Sequence, residues 1–275
     1  MKQWPKLHRA IELRDELNLW SVEGMGTIDY ESSDNLHDSS DPIVWIEYRA
    51  QSDTLPDEMR GAMLLGDMIH NFRAALDHQM WAVTPPAARA GGNGRQVQFP
   101  IHTLTRKWEA WRKRWGGHYG DKVLAVLHAA QPCNLDTQEA RSHALELLQS
   151  LSNMDKHRAL NVTARVAHDG YPFRITPEPA GGVRVARHAG PIGTDTILAR
   201  AEWDREEDVS GEVEVAPTIA YDQQVFIPDL DSDDERAGEW HPLGDLVNAI
   251  SSQVVLYVGA LYNADRVDHG LPQDK

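Results

Sequence analysis

Six residues suited to binding or catalysis stand close together in the segment Gly66–His78: Asp67, His70, Asn71, Arg73, Asp77 and His78. Because each residue of an α-helix turns about 100°, a helix here gathers these side chains within an arc of about 160°, opposite its apolar face. A solvated helix face is usually rich in Lys and Glu, whereas His, Asp and Asn are weaker helix formers. We therefore expect this polar arc either to bind or react with a ligand, or to form a buried polar network with neighbouring helices.

A long helix over Asp57–Val83 is predicted to position the polar arc. Asp57 suits the N-cap, Glu58 suits the first turn, and Thr84-Pro85-Pro86 ends the helix. Apolar residues at helical spacing predict the face that packs in the core: Leu64, Leu65, Met68, Ile69, Phe72, Ala75, Leu76 and Met80.

The remaining sequence predicts an α+β fold, a helical bundle with an antiparallel β insertion before the C-terminal helix. Residues 1–160 form a helical domain with one early strand, 161–230 form the β region, and 231–275 hold a helix that returns to the bundle. Alternating apolar and polar residues between Asn161 and Pro228 indicate antiparallel strands. Periodicity, caps and β-branched residues predict the other elements: helices Lys6–Trp20, Leu104–Trp115, Asp121–Ala130, Asp136–Arg158 and Pro242–Asn263, strand Ile43–Tyr48 and loop Ser32–Pro42.

Composition and charge narrow the class of protein. A single cysteine, Cys133, excludes an intramolecular disulfide and fits a reducing compartment. We see no signal peptide and no apolar run long enough to cross a bilayer, so we expect a cytoplasmic protein with no membrane partner. The net charge is −15, and Glu202–Arg236, with thirteen acidic residues and two arginines, contributes −11 of it. That acidic segment would repel nucleic acid but need not cover the polar arc.

The pair Arg73 and His78 gives the first resemblance. Arg73-Ala-Ala-Leu-Asp-His78 resembles the R-x-x-x-x-H motif of HEPN domains, all-helical proteins that include metal-independent ribonucleases of toxin and antiphage defence systems. The resemblance implies an endoribonuclease without cofactor or metal, in which His78 is the general acid or base and Arg73 stabilises charge on the phosphate. Asp77, Asn71 or His70 would orient the histidine, with Asp67 in support.

Four short motifs give a second resemblance, to uncharacterised actinobacterial and phage proteins. They are G-D-x-x-H-N-x-R-x-A-L-D-H over Gly66–His78, Phe99-Pro100-Ile101, Gln131-Pro132 and Asp155-Lys156-His157-Arg158. The resemblance spans roughly the first 160 residues. It implies a common fold and supplies no activity.

Helix geometry and the HEPN resemblance together imply a homodimer. Arg73 and His78 lie about 140° apart around a straight helix, so one helix does not close a site between them well. HEPN enzymes bring two motifs to one groove by dimerising, and we expect the Asp57–Val83 helices to meet near a two-fold axis. The partners that the resemblance implies are a second copy, RNA, and an antitoxin or regulatory protein.

The motif Asp155–Arg158 is predicted to join the same site. Steps of 100° along the helix from Asp136 place Asp155 and Arg158 on its inward face, where charges need partners. We expect Asp155 or Arg158 to lie within hydrogen-bond or ion-pair distance of a residue between Asp67 and His78. Asp155 would then orient an arginine or a histidine of that segment. Arg158 and His157 are then supporting residues. The alternative is an exposed, solvated turn.

Two other functions stay open. Asp67-x-x-His70 has the i,i+3 spacing of carboxylate and histidine ligands, which His78, His143 or His157 could complete in a metal-binding enzyme. In the other alternative, a non-enzymatic interaction protein, the polar helix face is structural and the β region binds a partner. In Thr105–Trp115, three tryptophans at buried-stripe spacing are expected to be core, which leaves five basic residues for an anionic partner. Walker, G-x-G-x-x-G and G-x-S-x-G motifs are absent from the sequence.

Overall fold

The structure is a computed structural model. It describes residues 4–24, 30–38, 40–51, 57–90, 93–155, 160, 162–166, 179–188, 190, 192–193, 195–205, 221–228 and 238–272. The helices are α1 (Pro5–Gly24), α2 (Glu58–Val83), α3 (Pro86–Arg89), α4 (Thr105–Trp115), α5 (Asp121–Ala129), α6 (Thr137–Ser142), α7 (Ala144–Asp155) and α8 (Leu243–Asp268). The strands are β1 (Tyr30–Asp34), β2 (Ile43–Ala50), β3 (Val162–Val166), β4 (Arg184–Arg187), β5 (Ile197–Asp204), β6 (Tyr221–Pro228) and β7 (Gly238–Pro242). The chain is therefore α+β, as the sequence predicts.

The chain divides into two compact units. The helical unit comprises residues 1–18, 60–161 and 226–275, and the sheet unit comprises residues 19–59 and 162–225. The sheet unit thus combines the early strands with most of the region predicted to be β.

In the helical unit, α2 buries the apolar face that its sequence predicts. Of the eight residues predicted for that face, all but the half-buried Leu64 are buried. Helix α8 packs against α5 and α7. It is long and apolar enough to cross a membrane by length and composition. Its apolar stripe, which includes Ile250, Val254, Val258 and Leu261, is buried in the core of this unit.

The sheet unit is built on antiparallel pairing. Its four-stranded sheet has the order β1-β2-β5-β4, and Ile46 in β2 stands opposite Ala201 in β5. The apolar core of the unit contains nine buried residues: Val44, Ile46, Tyr48, Ala50, Ile192, Leu198, Ala199, Ala201 and Trp203. Strand β3 pairs with β6, with Val162 opposite Val225.

Among the elements that differ from the sequence-based expectation, two have a clear physical cause. The helix predicted from Asp136 is broken at His143, whose backbone is extended (φ −66°, ψ 133°). The Nδ1 atom of His143 accepts a hydrogen bond from the Leu145 N–H (3.3 Å), so the imidazole caps α7 instead of continuing α6. Strand β1 is not predicted from the sequence and its residues from Ser32 onward lie in the predicted loop; it forms because it pairs with β2 from Tyr30 to Asp34. The strands expected at 173–175 and 212–216 lie outside the described residues.

Candidate functional site

Arg73 and Asp77 hold the backbone of Phe99. Arg73 Nη2 donates to the Phe99 carbonyl oxygen (2.9 Å), and the Phe99 N–H donates to Asp77 Oδ1 (2.9 Å). The two side chains also pair with each other, with Arg73 Nη2 3.0 Å from Asp77 Oδ1. Arg73 Nη1 donates to Gln149 Oε1 on α7 (2.8 Å). We call this arrangement the Phe99 clamp, and it links α2, α7 and the segment that leads to α4.

The next residues of this segment are held in the same manner by Gln131. Its Nε2 donates to the Pro100 carbonyl (3.0 Å), and its Oε1 accepts from the His102 N–H (3.1 Å). The Cys133 N–H donates to the His102 carbonyl (2.9 Å). Side chains and one backbone amide thus satisfy backbone groups of Phe99, Pro100 and His102, in a largely buried segment that belongs to no helix or strand.

The clamp limits what Arg73 is free to do. Its side chain is only 12% exposed, and four contacts involve its Nε, Nη1 and Nη2 atoms. A guanidinium has five N–H donors, so little of the planar fork remains to bind a phosphate. Arg73 and Asp77 therefore match the structural alternative for the polar arc, a partly buried network that ties α2 to its neighbours.

Asp155 also contacts α2, but one residue away from the predicted interval. A Cβ atom at Gly66 would lie 2.5 Å from Asp155 Oδ1, so the absence of a side chain at Gly66 makes room for this carboxylate. The prediction that Asp155 lies on the buried inward face is wrong: Asp155 is the last residue of α7 and is exposed, although its carboxylate lies next to Gly66. In the described part of the chain, no hydrogen bond or ion pair connects it with residues 67–78. Its neighbours Lys156, His157 and Arg158 lie outside the described residues.

Asn71 takes part in local packing. Its Nδ2 donates to the Asp67 carbonyl (2.7 Å), and its Oδ1 accepts from Lys6 Nζ on α1 (3.3 Å). The Asn71 side chain therefore connects α1 with α2 at one edge of the polar arc.

Asp67, His70 and His78 differ from the other residues of the polar arc. All three are exposed, and their side chains have no hydrogen-bond or ion-pair partner among the described residues. They surround Ala74, which is half-buried and has only a methyl group. We call Asp67, His70, Ala74 and His78 the exposed α2 face.

Two large apolar side chains flank the exposed α2 face. Met63 is 66% exposed and Trp81 is 43% exposed. Trp81 is held from one side, because the Arg89 guanidinium lies 5.0 Å from its ring centroid and Gly94 approaches its six-membered ring. Together these residues form a stripe from Met63 to Trp81 with the 3-4 spacing of a helix-packing seam.

Two half-buried imidazoles, His102 and His143, lie elsewhere in the helical unit. Burial lowers the pKa of His143, and burial together with the nearby Lys107 lowers the pKa of His102. The Nε2 atom of His102 is buried without a partner in the described structure. Both rings are therefore favoured in the neutral form, which suits packing more than proton transfer near neutral pH.

The described residues give no support to a metal centre, since no group of three His, Cys, Asp or Glu side chains among them could hold an ion. The Asp67 and His70 pair has no third ligand in that part of the chain. His157, one candidate to complete the set, lies outside it.

Sequence reasoning did not single out Gln149, His102 or the role of Gln131. Gln149 stands among apolar residues of α7, and Gln131 precedes Pro132, so neither position carries a catalytic pattern. The available signal was the Phe99-Pro100-Ile101 segment itself. A buried segment with a proline needs side chains to satisfy its backbone groups.

Comparison of the chain with protein-family models finds no matching model, and comparisons with curated proteins and with solved structures find no similar protein.

Proposed function

We propose that the protein acts through the exposed α2 face, as a homodimer that cleaves RNA without a metal ion. The observation that carries the proposal is the pair of exposed histidines His70 and His78, beside Asp67 on one face of α2, which have no partner among the described residues. The R-x-x-x-x-H resemblance to HEPN ribonucleases supports the same face. Our proposal gives the catalytic role to the histidines and not to Arg73, because Arg73 is engaged in the Phe99 clamp.

Distance along the helix is the reason for a dimer. His70 and His78 are eight residues apart, which is about 12 Å along an α-helix. General acid and base must both reach one phosphodiester, so two groups at this separation do not serve one phosphate. In a dimer, the second copy of α2 supplies the second histidine at the same height along the helix axis as the first.

Ala74 is the natural crossing point of two antiparallel α2 helices. A two-fold axis through Ala74 puts residues at equal distances on either side of it level with each other. His70 of one copy then lies level with His78 of the second copy, and Asp67 lies within one turn of that same His78. The small Ala74 side chain permits close approach of the helices, and the Asp67 carboxylate complements a protonated imidazole.

The chemistry is transesterification at a ribose. One histidine takes the proton of the 2'-hydroxyl as that oxygen attacks phosphorus, and the other gives a proton to the leaving 5'-oxygen. The products are a 2',3'-cyclic phosphate and a free 5'-hydroxyl. In this scheme Asp67 orients His78 of the second copy, and Arg73 positions α2 through the Phe99 clamp without touching the substrate.

The test combines mass and cleavage measurements on purified protein. We expect a dimer by light scattering at micromolar concentration and cleavage of labelled single-stranded RNA that is unchanged by a chelator. His70→Ala and His78→Ala each abolish cleavage and preserve thermal stability, whereas His8→Ala, an exposed histidine on α1, has no effect. A monomer, or full cleavage by both variants, would refute the proposal. Chelator-sensitive cleavage would indicate the metal-enzyme alternative.

A non-enzymatic interaction protein is the second candidate, and the Phe99 clamp favours it. If the R-x-x-x-x-H match is only structural, Met63 and Trp81, which flank the exposed α2 face, bind a partner, and the purified protein cleaves no RNA at any concentration. The biological setting that we propose for the catalytic case is a cytoplasmic toxin or antiphage effector restrained by an antitoxin. Growth arrest on expression, lost in His78→Ala, would support that setting.

A further inference from the structure

Helix α4 carries four exposed cations around one small residue. Ala110 is exposed, and Arg106, Lys107, Lys113 and Arg114 stand at its i−4, i−3, i+3 and i+4 positions. Residues at these spacings are neighbours on a helix surface, with Cβ atoms about 5–6 Å apart. We call Ala110 and these four residues the α4 cation ring.

The tryptophans of α4 do not take part in this surface. Trp108 and Trp115 are buried, as the stripe spacing predicts. Trp111 is stacked between Trp108 (ring centroids 5.2 Å apart) and Tyr119 (5.9 Å). Both faces of the indole are therefore covered, and α4 offers no free ring on which a nucleobase could stack.

Helix stability does not account for the ring. Arg106 and Lys107 stand in the first turn, where a positive charge opposes the helix dipole, and that turn has neither an acidic residue nor a side-chain cap. Glu109 is the only acidic residue of α4, and it forms no ion pair in the described structure. Among the described residues, Arg106, Lys107 and Lys113 have no partner at all, while Arg114 contacts Gln96 and the Trp115 ring.

We infer that the α4 cation ring binds the phosphodiester backbone of nucleic acid without reading its bases. A chain of net charge −15 presents few surfaces that attract a polyanion. Arginine forks match phosphate oxygens, and the small Ala110 side chain lets the backbone approach the helix between the flanking cations. Because the indole faces are covered, charge supplies the affinity, and the binding depends on salt and not on sequence.

Fluorescence anisotropy with labelled 20-nucleotide RNA, single-stranded DNA and duplex DNA tests this inference. The assay uses His70→Ala/His78→Ala protein, so a failure of the proposed RNA cleavage does not affect the result. Four contacts to a single strand predict a slope of log K against log salt of about −3, so that a fourfold rise in salt weakens binding about 50-fold. The RNA, single-stranded and duplex arms show which backbone binds best.

Ala110→Glu is the decisive variant, because it places a carboxylate inside the ring at a position where glutamate is a good helix former. We expect it to abolish binding with an unchanged or higher Tm, since the new carboxylate pairs with cations at i±3 and i±4. Ala110→Gln, similar in size and neutral, should retain most of the binding.

Charge removal gives an independent check. Arg106→Gln/Lys107→Gln should reduce the salt slope by about half and weaken binding about 25-fold at 0.1 M salt. Arg9→Gln/Arg14→Gln on α1 removes the same charge and should have little effect. The inference is overturned if no nucleic acid binds at 50 mM salt, if Ala110→Glu binds as well as Ala110→Gln, or if polyglutamate binds as tightly as RNA.

Discussion

The Phe99 clamp makes Arg73 a residue whose loss should first affect stability. Arg73→Ala removes the donors to the Phe99 carbonyl and to Gln149, and it leaves the Asp77 carboxylate without its cation. Phe99 is only 1% exposed, so water cannot replace the lost donor at its carbonyl without opening the segment. A catalytic arginine at an open site would give the opposite result, a loss of activity with little change in stability.

The expected size follows from the burial of the pair. Breaking a buried ion pair by removing one partner costs about 3–5 kcal/mol. The Asp77 side chain is 27% exposed and is partly solvated after the change, so the lower limit of about 3 kcal/mol applies. Arg73→Lys keeps the charge but loses the fork to Phe99 and Gln149, at about 1 kcal/mol for each hydrogen bond.

Urea denaturation followed by circular dichroism at 222 nm measures these differences, because helices of the helical unit dominate that signal. We expect unfolding free energies in the order wild type, Arg73→Lys, Arg73→Ala, and a His78→Ala value within about 0.5 kcal/mol of wild type, as for an exposed surface residue. An Arg73→Ala protein as stable as His78→Ala would refute the clamp.

Three further predictions concern packing and pH. Gly66→Ala should stabilise α2 by about 1 kcal/mol in an Asp155→Ala background, through helix propensity, and by less in the wild type, where the added Cβ meets the Asp155 carboxylate. Asp268→Ala should cost about 1–2 kcal/mol in thermal unfolding, because its carboxylate accepts the Lys122 and Val123 N–H groups at the start of α5, while Asp268→Asn should cost less. Since burial lowers the pKa of His143, the unfolded chain binds the proton first as the pH falls below about 6.5, and the unfolding free energy falls with it. His143→Asn, which retains a cap for α7, should show a shallower decline in Tm over the same pH range.

Periodicity predicted the long helices well because their burial follows local sequence. Periodicity correctly predicted the core face of α2 and the burial of Trp108 and Trp115. The break at His143 was not, because one imidazole cap outweighs a continuous apolar stripe, and no spacing rule detects it. Strand β1 escaped detection because its polar residues are held by pairing with β2, a non-local cause.

The candidate site was predictable in composition but not in the roles of its residues. The rotation of 100° per residue correctly places six polar side chains on one face of α2: Asp67, His70, Asn71, Arg73, Asp77 and His78. Which of them are engaged depends on residues far away in the chain, such as Phe99 and Gln149. The structure therefore divides one arc into a clamp and an exposed face.

Hydrogen exchange at the Phe99 amide tests this division most directly. The Phe99 N–H donates to Asp77, which Arg73 holds in place, so exchange of this amide reports on the clamp itself. Mass spectrometry on a peptide covering Phe99, compared across wild type, Arg73→Ala and His78→Ala, should show exchange at this amide about 100-fold faster in Arg73→Ala, as about 3 kcal/mol of lost protection implies. His78→Ala should exchange like wild type. Equal protection of the Phe99 amide from exchange in wild type and Arg73→Ala would contradict the clamp. Arg73 would then be free to act with the exposed α2 face.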